Sequence, residues 1–192
     1  FFALCQRHGL EVVFNDHPLD IREDDKHFEP YLAAAGAAVE VRTRDYNGKK
    51  LRMAKVDITD KQQNQAFHRL CQRPILELGL DYWWNDGSRG QLSGTCGQLV
   101  CNQTSFAASE REGKRGMLFA RYGGLGSHRY GAFFTGDASS DWEVLRLQVE
   151  FNIRAAGVGL GQVSHDIGGF MLPKSQLQKN AAGQDIISPE RY

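Results

Sequence analysis

The 192-residue chain has no apolar run approaching the roughly 20 residues that a bilayer-spanning helix needs, and no charged leader with an apolar centre. A soluble stretch without a targeting segment is therefore expected. It also has no surplus of either charge, since Lys plus Arg and Asp plus Glu both total 23. With no basic run interleaved with aromatics, nucleic acid is not an expected partner. Cysteine is sparse, and four residues are too few for a disulfide-stapled scaffold. None of them forms a two-residue-spaced zinc pair, and His17 and His128 have no metal-type spacing, so neither a metal nor another cofactor is expected.

Cys96 and Cys101 lie close together in a Gly-rich stretch, where a local bridge and two unlinked thiols are both open. Asn102-Gln103-Thr104 beside them is a glycosylation sequon that would suit a secreted or lumenal protein, although such tripeptides are frequent and leave the compartment open.

The hydrophobic share of 41% is that of a chain with a real core. Leu10 to Phe14 reads as a buried strand running into Asn15-Asp16-His17-Pro18. Residues 20–53 are charged and Ala-rich and read as an excursion from the main fold, with a helix around Phe28 to Ala35. Lys55 to Ile58 is a short strand candidate. Thr59 and Gln62 form a capping box for a helix that places Phe67, Leu70, Cys71, Ile75 and Leu78 on one face, bent or ended by Pro74.

Leu80 to Trp84 is the next strand, followed by a long loop of Gly, Ser, Thr and Asn and then by Gly116 to Tyr122. Gly131 to Thr135 is extended. Ser140 and Glu143 form a second capping box, opening a helix with Trp142, Leu145, Val149 and Ile153 on one face. Gly161 to Ser164 resumes the strand pattern before His165-Asp166-Ile167-Gly168-Gly169.

Strands alternating with helices imply a parallel α/β sheet, with the polar candidates at strand C-terminal ends as in a (β/α)8 TIM barrel. Five or six strand candidates fall short of eight. Phe1 to Arg7 looks like the interior of a helix and Ser188 to Tyr192 like the start of one. The expectation is thus an incomplete barrel of central and later strands, one partial catalytic domain over residues 1–192 with an inserted excursion at about 20–53.

Two acids at strand ends, Asp86 after Asp81-Tyr-Trp-Trp-Asn and Asp137 in Thr135-Gly-Asp-Ala-Ser-Ser-Asp-Trp142, are the minimal equipment for splitting a glycosidic bond. The aromatic run before Asp86 would suit a sugar face, yet Asp86-Gly87 is also a strong turn dipeptide. Asp137 could cap the following helix, although Ser139, Ser140 and Asp141 offer capping oxygens nearer its start. Arg121 could pair with a carboxylate, bind sugar hydroxyls or form a plain surface ion pair. Asp166 could accept bonds from substrate hydroxyls or hold the Gly-Gly turn.

Together, Arg121-Tyr-Gly-Gly-Leu-Gly-Ser-His-Arg-Tyr130, Thr135-Gly-Asp-Ala-Ser-Ser-Asp-Trp142 and Ser164-His-Asp-Ile-Gly-Gly-Phe170 closely resemble glycoside hydrolase family 31. Asp81 to Asp86 is similar to the family's nucleophile strand, and Val13 to Pro18 to an earlier barrel strand. The resemblance implies a retaining α-glycosidase, foremost an α-glucosidase, without cofactor and with a carbohydrate substrate. It implies Asp86 as nucleophile and Asp137 as general acid/base, with carboxyl groups about 5 to 5.5 Å apart and titrating apart.

Arg121 and Asp166 match sugar-binding positions, Trp84, Phe134 and Phe170 match the aromatic lining, and His165 adjoins them. Gly87 departs from the bulky residue usual after the nucleophile, which bears on substrate preference. Rival expectations are an α-xylosidase, α-galactosidase or sulfoquinovosidase, a non-catalytic carbohydrate-binding barrel, and an isolated chain that is inactive because an open barrel exposes strand edges.

Overall fold

The computed structural model describes residues 1–87, 91–92, 95–110, 114–121, 126–171, 178–179 and 185–186. They form two compact units, Phe1–Gly131 and Ala132–Tyr192. The helix expected from Ser188 and the end of the strand expected at Tyr122 lie outside the described residues.

In chain order the first unit contains α1 (Phe2–Arg7), β1 (Val13–Asp16), β2 (Asp20–Arg22), α2 (Phe28–Ala35), β3 (Val41–Tyr46), β4 (Lys49–Lys55) and α3 (Lys61–Phe67). A π-helical turn, His68–Gln72, leads to α4 (Arg73–Glu77) and β5 (Tyr82–Asn85). A two-stranded ribbon of β6 (Gln91–Leu92) and β7 (Thr95–Cys96) precedes α5 (Gly97–Ser109) and β8 (Phe119–Ala120).

Strand β1 pairs in parallel with β5, and β5 with β8, as the alternating pattern predicts. The excursion is an antiparallel sheet in the order β2-β4-β3, with α2 where it is expected. The strand expected at Lys55 to Ile58 lies earlier, because Lys49–Lys55 has β3 as a hairpin partner through the turn at Asn47-Gly48, both at positive φ.

Two cores hold this unit together. Ile21, Phe28, Tyr31, Ala54, Val56, Phe67 and Cys101 join the excursion to α3 and α5. Val12, Leu76, Leu80 and Trp83 form the other core, with Phe2 and Ala108 against it. Leu78, expected on one face of the second helix with Phe67, Leu70, Cys71 and Ile75, lies just past its end at Glu77 and is 67% exposed. Pro74 sits in the first turn of α4, where its missing N–H costs nothing, and the π turn precedes it. Asp60, not Thr59, caps α3 by accepting from the Gln63 amide at 2.8 Å, while the Thr59 hydroxyl bonds Asp57.

The stretch expected to be a loop before β8 contains helix α5. Its pattern is hard to read because its buried face is polar, with Gln98, Asn102, Ser105 and Ser109 at 4% exposure or less. Gln98, Asn102 and Ser105 meet Asn85 of β5, while the Ser109 hydroxyl bonds the Phe106 and Met117 backbone. Asn85 Nδ2 donates to Ser105 Oγ at 3.0 Å and to Asn102 Oδ1 at 3.4 Å, and Gln98 Nε2 donates to Asn102 Oδ1 at 3.0 Å. Asn102 is fully buried, so the sequon is closed to a glycan in this fold. Cys101 is a buried free thiol, which removes the bridge to Cys96.

The second unit contains β9 (Ala132–Phe134), α6 (Trp142–Gly157), β10 (Val163–Ser164), β11 (Gln178–Lys179) and β12 (Asp185–Ile186). Strands β9 and β10 are parallel, and β11 and β12 antiparallel. Asp141, rather than Ser140, caps α6, accepting from the Val144 amide at 2.8 Å. The stripe Trp142, Leu145, Val149 and Ile153, expected on one face of this helix, is 43% to 73% exposed.

Candidate active site

The parallel registers determine what meets at the C-terminal edge of the first unit. Asp16 is opposite Asn85, and Asn85 is opposite Ala120. One step further along each strand come His17, Asp86 and Arg121, so these three fall in a single row across the sheet. Backbone bonds carry the register into that row, with Asp86 N–H donating to Asp16 O at 2.9 Å and Arg121 N–H to Asn85 O at 2.9 Å.

Alternation then sorts the side chains. Trp83 and Asn85 turn to the helices and are buried, whereas Trp84 and Asp86 turn to the other face and are only partly covered. Phe119 stands beside Trp84, with ring centroids 5.4 Å apart. A pair of aromatic rings, tilted 54° to each other, thus leads up to the carboxylate.

The Asp86 carboxylate is gripped on both oxygens. Arg121 Nε donates to Oδ1 at 2.5 Å and to the Asp86 carbonyl at 3.1 Å. On the other side Asn15 Nδ2 donates to Oδ2 at 3.1 Å, and His17 Nε2 lies 3.2 Å from the same oxygen. The side chains of Asp86 and Arg121 are 12% and 14% exposed, so this ion pair is shielded, while His17 is 49% exposed at the rim. Sequence reasoning set His17 aside as a metal ligand and did not single out Asn15. The signal that could have found them is the strand register, which aligns residues 15 and 17 with 84 and 86.

Asp16 points the other way. Gln72 Nε2 donates to its Oδ2 at 2.6 Å. Burial pushes this carboxyl above its ordinary value, and the Gln72 bond and nearby His17 offset only part of that. Asp81, at the start of the same strand as Asp86, is a fastener: it accepts from the Val12 amide at 2.7 Å and from Lys114 Nζ at 2.6 Å.

In the second unit, Asp137 follows β9 in an exposed turn, and Phe134 is buried at the end of the strand. The register Phe134 to Ser164 continues through the Thr135 amide, which donates to Ser164 O at 3.2 Å and brings His165 and Asp166 to the same edge. The turn carrying Asp137 is laced to the His165–Phe170 segment by Phe170 N–H and Met171 N–H to Ala138 O, at 2.8 and 2.9 Å, and by Ser140 N–H to Met171 O at 2.9 Å. Gly169 N–H donates to Asp166 O at 2.9 Å and closes the turn, leaving the Phe170 ring exposed. The sites expected from sequence therefore gather as Trp84, Asp86 and Arg121 in one unit, and as Phe134, Asp137, His165, Asp166 and Phe170 in the other.

The chain matches the TIM-barrel domain of glycosyl hydrolases family 31 over residues 1–183. Human neutral alpha-glucosidase AB is 33% identical to it over 76 residues, which are 38% of this chain and 8% of that protein. Among solved structures, a family 31 alpha-xylosidase from Xanthomonas citri superposes with a TM-score of 0.70 at 18% identity, across 92% of this chain and 22% of that one. A family 31 sulfoquinovosidase from E. rectale gives 0.67 at 20% identity, across 88% of this chain and 28% of that one. The matched stretches thus span between 8% and 28% of these relatives. At such identities the structural likeness establishes the fold, an incomplete (β/α)8 barrel. With that fold in hand and residues 1–183 of the chain matching the family's domain, the chain belongs to glycosyl hydrolase family 31.

Proposed function

We propose that the chain carries the catalytic residues of a retaining α-glycoside hydrolase, foremost an α-glucosidase. Asp86 is the nucleophile and Asp137 the general acid/base. In the first step the Asp86 carboxylate attacks the anomeric carbon while Asp137 delivers its proton to the departing glycosidic oxygen. In the second, Asp137 takes a proton from water, which displaces Asp86 and releases the sugar with its configuration retained. Arg121 and Asp166 bind sugar hydroxyls, His165 adjoins them, and Trp84, Phe134 and Phe170 line the subsite.

The observation that carries this reading is the grip on Asp86. A carboxylate at a barrel strand's C-terminal end, shielded to 12% exposure beside aromatic rings and paired with Arg121, supports a chemical role over a turn-forming one. Its two oxygens are oriented by side chains from both neighbouring strands, as a nucleophile requires.

The test uses the protein expressed from its complete reading frame. Asp86→Ala should abolish hydrolysis of an aryl α-glycoside, and added azide should restore turnover with a glycosyl azide of inverted configuration. Full activity in Asp86→Ala would refute the assignment, and sugar binding without turnover by the wild type would favour a non-catalytic carbohydrate-binding barrel. The likeness to an alpha-xylosidase keeps α-xylosides as the second substrate class. A panel of aryl α-glucosides, α-xylosides, α-galactosides and sulfoquinovosides separates these, because a missing hydroxyl leaves a buried partner unpaired.

A further inference from the structure

We infer that His17 is a positioning residue for the nucleophile, acting on substrate only through Asp86; the inference rests on the proposed role of Asp86. His17 Nε2 lies 3.2 Å from Asp86 Oδ2, the oxygen that also receives the Asn15 amide, while Arg121 holds Oδ1. A carboxylate bonded at one oxygen can still rotate about its Cβ–Cγ bond. Donors on both oxygens, from strands on either side, fix its plane. His17 supplies the second side together with Asn15 when Nε2 carries the proton.

Gly87 follows Asp86 beside this histidine. Its φ of +144° lies in the range that side chains rarely adopt, and a Cβ built there would stand 3.9 Å from His17 Nδ1, an ordinary van der Waals contact. Because His17 is half exposed and Asp86 is not, the imidazole also screens Oδ2 from solvent.

The inference is tested in the protein expressed from its complete reading frame, on the 4-nitrophenyl α-glycoside that the wild type turns over fastest. With Asp86 present, His17→Ala should lower kcat about tenfold to a hundredfold, the size of one hydrogen bond to a charged group, with KM changed less than threefold. His17→Gln, whose amide can donate from nearly the same place, should recover most of the loss. In the Asp86→Ala background rescued by azide, His17→Ala should change the rescued rate less than twofold, since the carboxylate it orients is gone.

An equal loss in the native and rescued reactions would overturn the inference, because His17 would then touch substrate or hold the fold. Wild-type kcat in His17→Ala would overturn it as well. Should His17→Ala melt early, the kcat of His17→Gln and its effect on the rescued rate decide by the same criteria. Failure of the Asp86 assignment is told apart by its own control, full activity in Asp86→Ala.

Discussion

Arg121 and Asp86 are joined twice by one nitrogen: Arg121 Nε reaches both the carbonyl and the carboxylate of Asp86, at 3.1 and 2.5 Å. The guanidinium thereby ties the side chain of Asp86 to its own backbone at the end of β5. A lysine carries the charge but concentrates its donors at one point, without the planar fork. Arg121→Ala should reduce kcat/KM for an aryl α-glycoside by at least about tenfold to a hundredfold, and Arg121→Lys should recover less than half of that loss in free energy. Steady-state rates on variants with unchanged melting curves measure this, and equal activity in Lys and Arg would contradict the need for the fork.

Helix α5 rests on an amide network as well as on its apolar contacts through Cys101 and Ala108. Asn102→Ala removes the acceptor shared by Asn85 and Gln98, leaving Asn85 Nδ2 with Ser105 Oγ and Gln98 Nε2 with the Asn85 carbonyl as their remaining partners. The expected loss is about 1 to 3 kcal/mol of unfolding free energy, read from urea denaturation. Peptide mapping after expression in a glycosylating host should find Asn102 unmodified. A glycan at that position in folded protein would contradict its burial.

How much of this could be read beforehand differs by element. The parallel alternation, α2 and the acids at strand ends were visible because β-branched and aromatic runs and local motifs encode them directly. Helix α5 was not, since its buried face is made of Gln98, Asn102, Ser105 and Ser109, and polarity there resembles a loop. The spacing of Trp142, Leu145, Val149 and Ile153 gave helix α6 correctly, but spacing does not state what will cover such a stripe. Capping boxes at Thr59 and Ser140 were displaced by one residue each, to Asp60 and Asp141, whose carboxylates accept from the next amides along, Gln63 and Val144. His17 and Asn15 became legible only through register, a property of two strands and not of one motif.

Asp16 offers a pH-dependent test. Burial raises its folded-state value above the ordinary 3.8, so the folded protein binds more protons than the unfolded chain between the two values. The stabilising contribution of the protonated form is present below 3.8 and is lost as pH rises through the folded value. Asp16→Asn keeps an oxygen for Gln72 and cannot ionise. The stability of the variant relative to wild type should therefore increase as pH rises from about 4 towards neutrality and then level off. Chemical denaturation at a series of pH values gives the difference, and a gap that shrinks with rising pH would show that Asp16 is not held in a desolvated place.

The lacing between the Asp137 turn and the His165–Phe170 segment depends on a missing side chain. Gly169 has a φ of +81°, and a Cβ there would fall 2.5 Å from Ser140 Cα and Oγ and 2.6 Å from its amide nitrogen. Two of those atoms are backbone, so no rotamer change relieves the overlap, and the left-handed conformation adds its own penalty of about 1 kcal/mol or more. Gly169→Ala should force residues 138–141 away from residues 166–171 and break the bonds from Phe170 N–H and Met171 N–H to Ala138 O and from Ser140 N–H to Met171 O. The expected readout is a loss of at least about 2 kcal/mol of stability together with faster amide hydrogen exchange at Ser140, Phe170 and Met171. If Asp137 is the acid/base, hydrolysis should fall with it, most strongly for substrates with poor leaving groups that depend on a proton from a well-placed acid. Undiminished protection of those three amides in Gly169→Ala would show that the close approach of the two turns is not what holds the Asp137 loop.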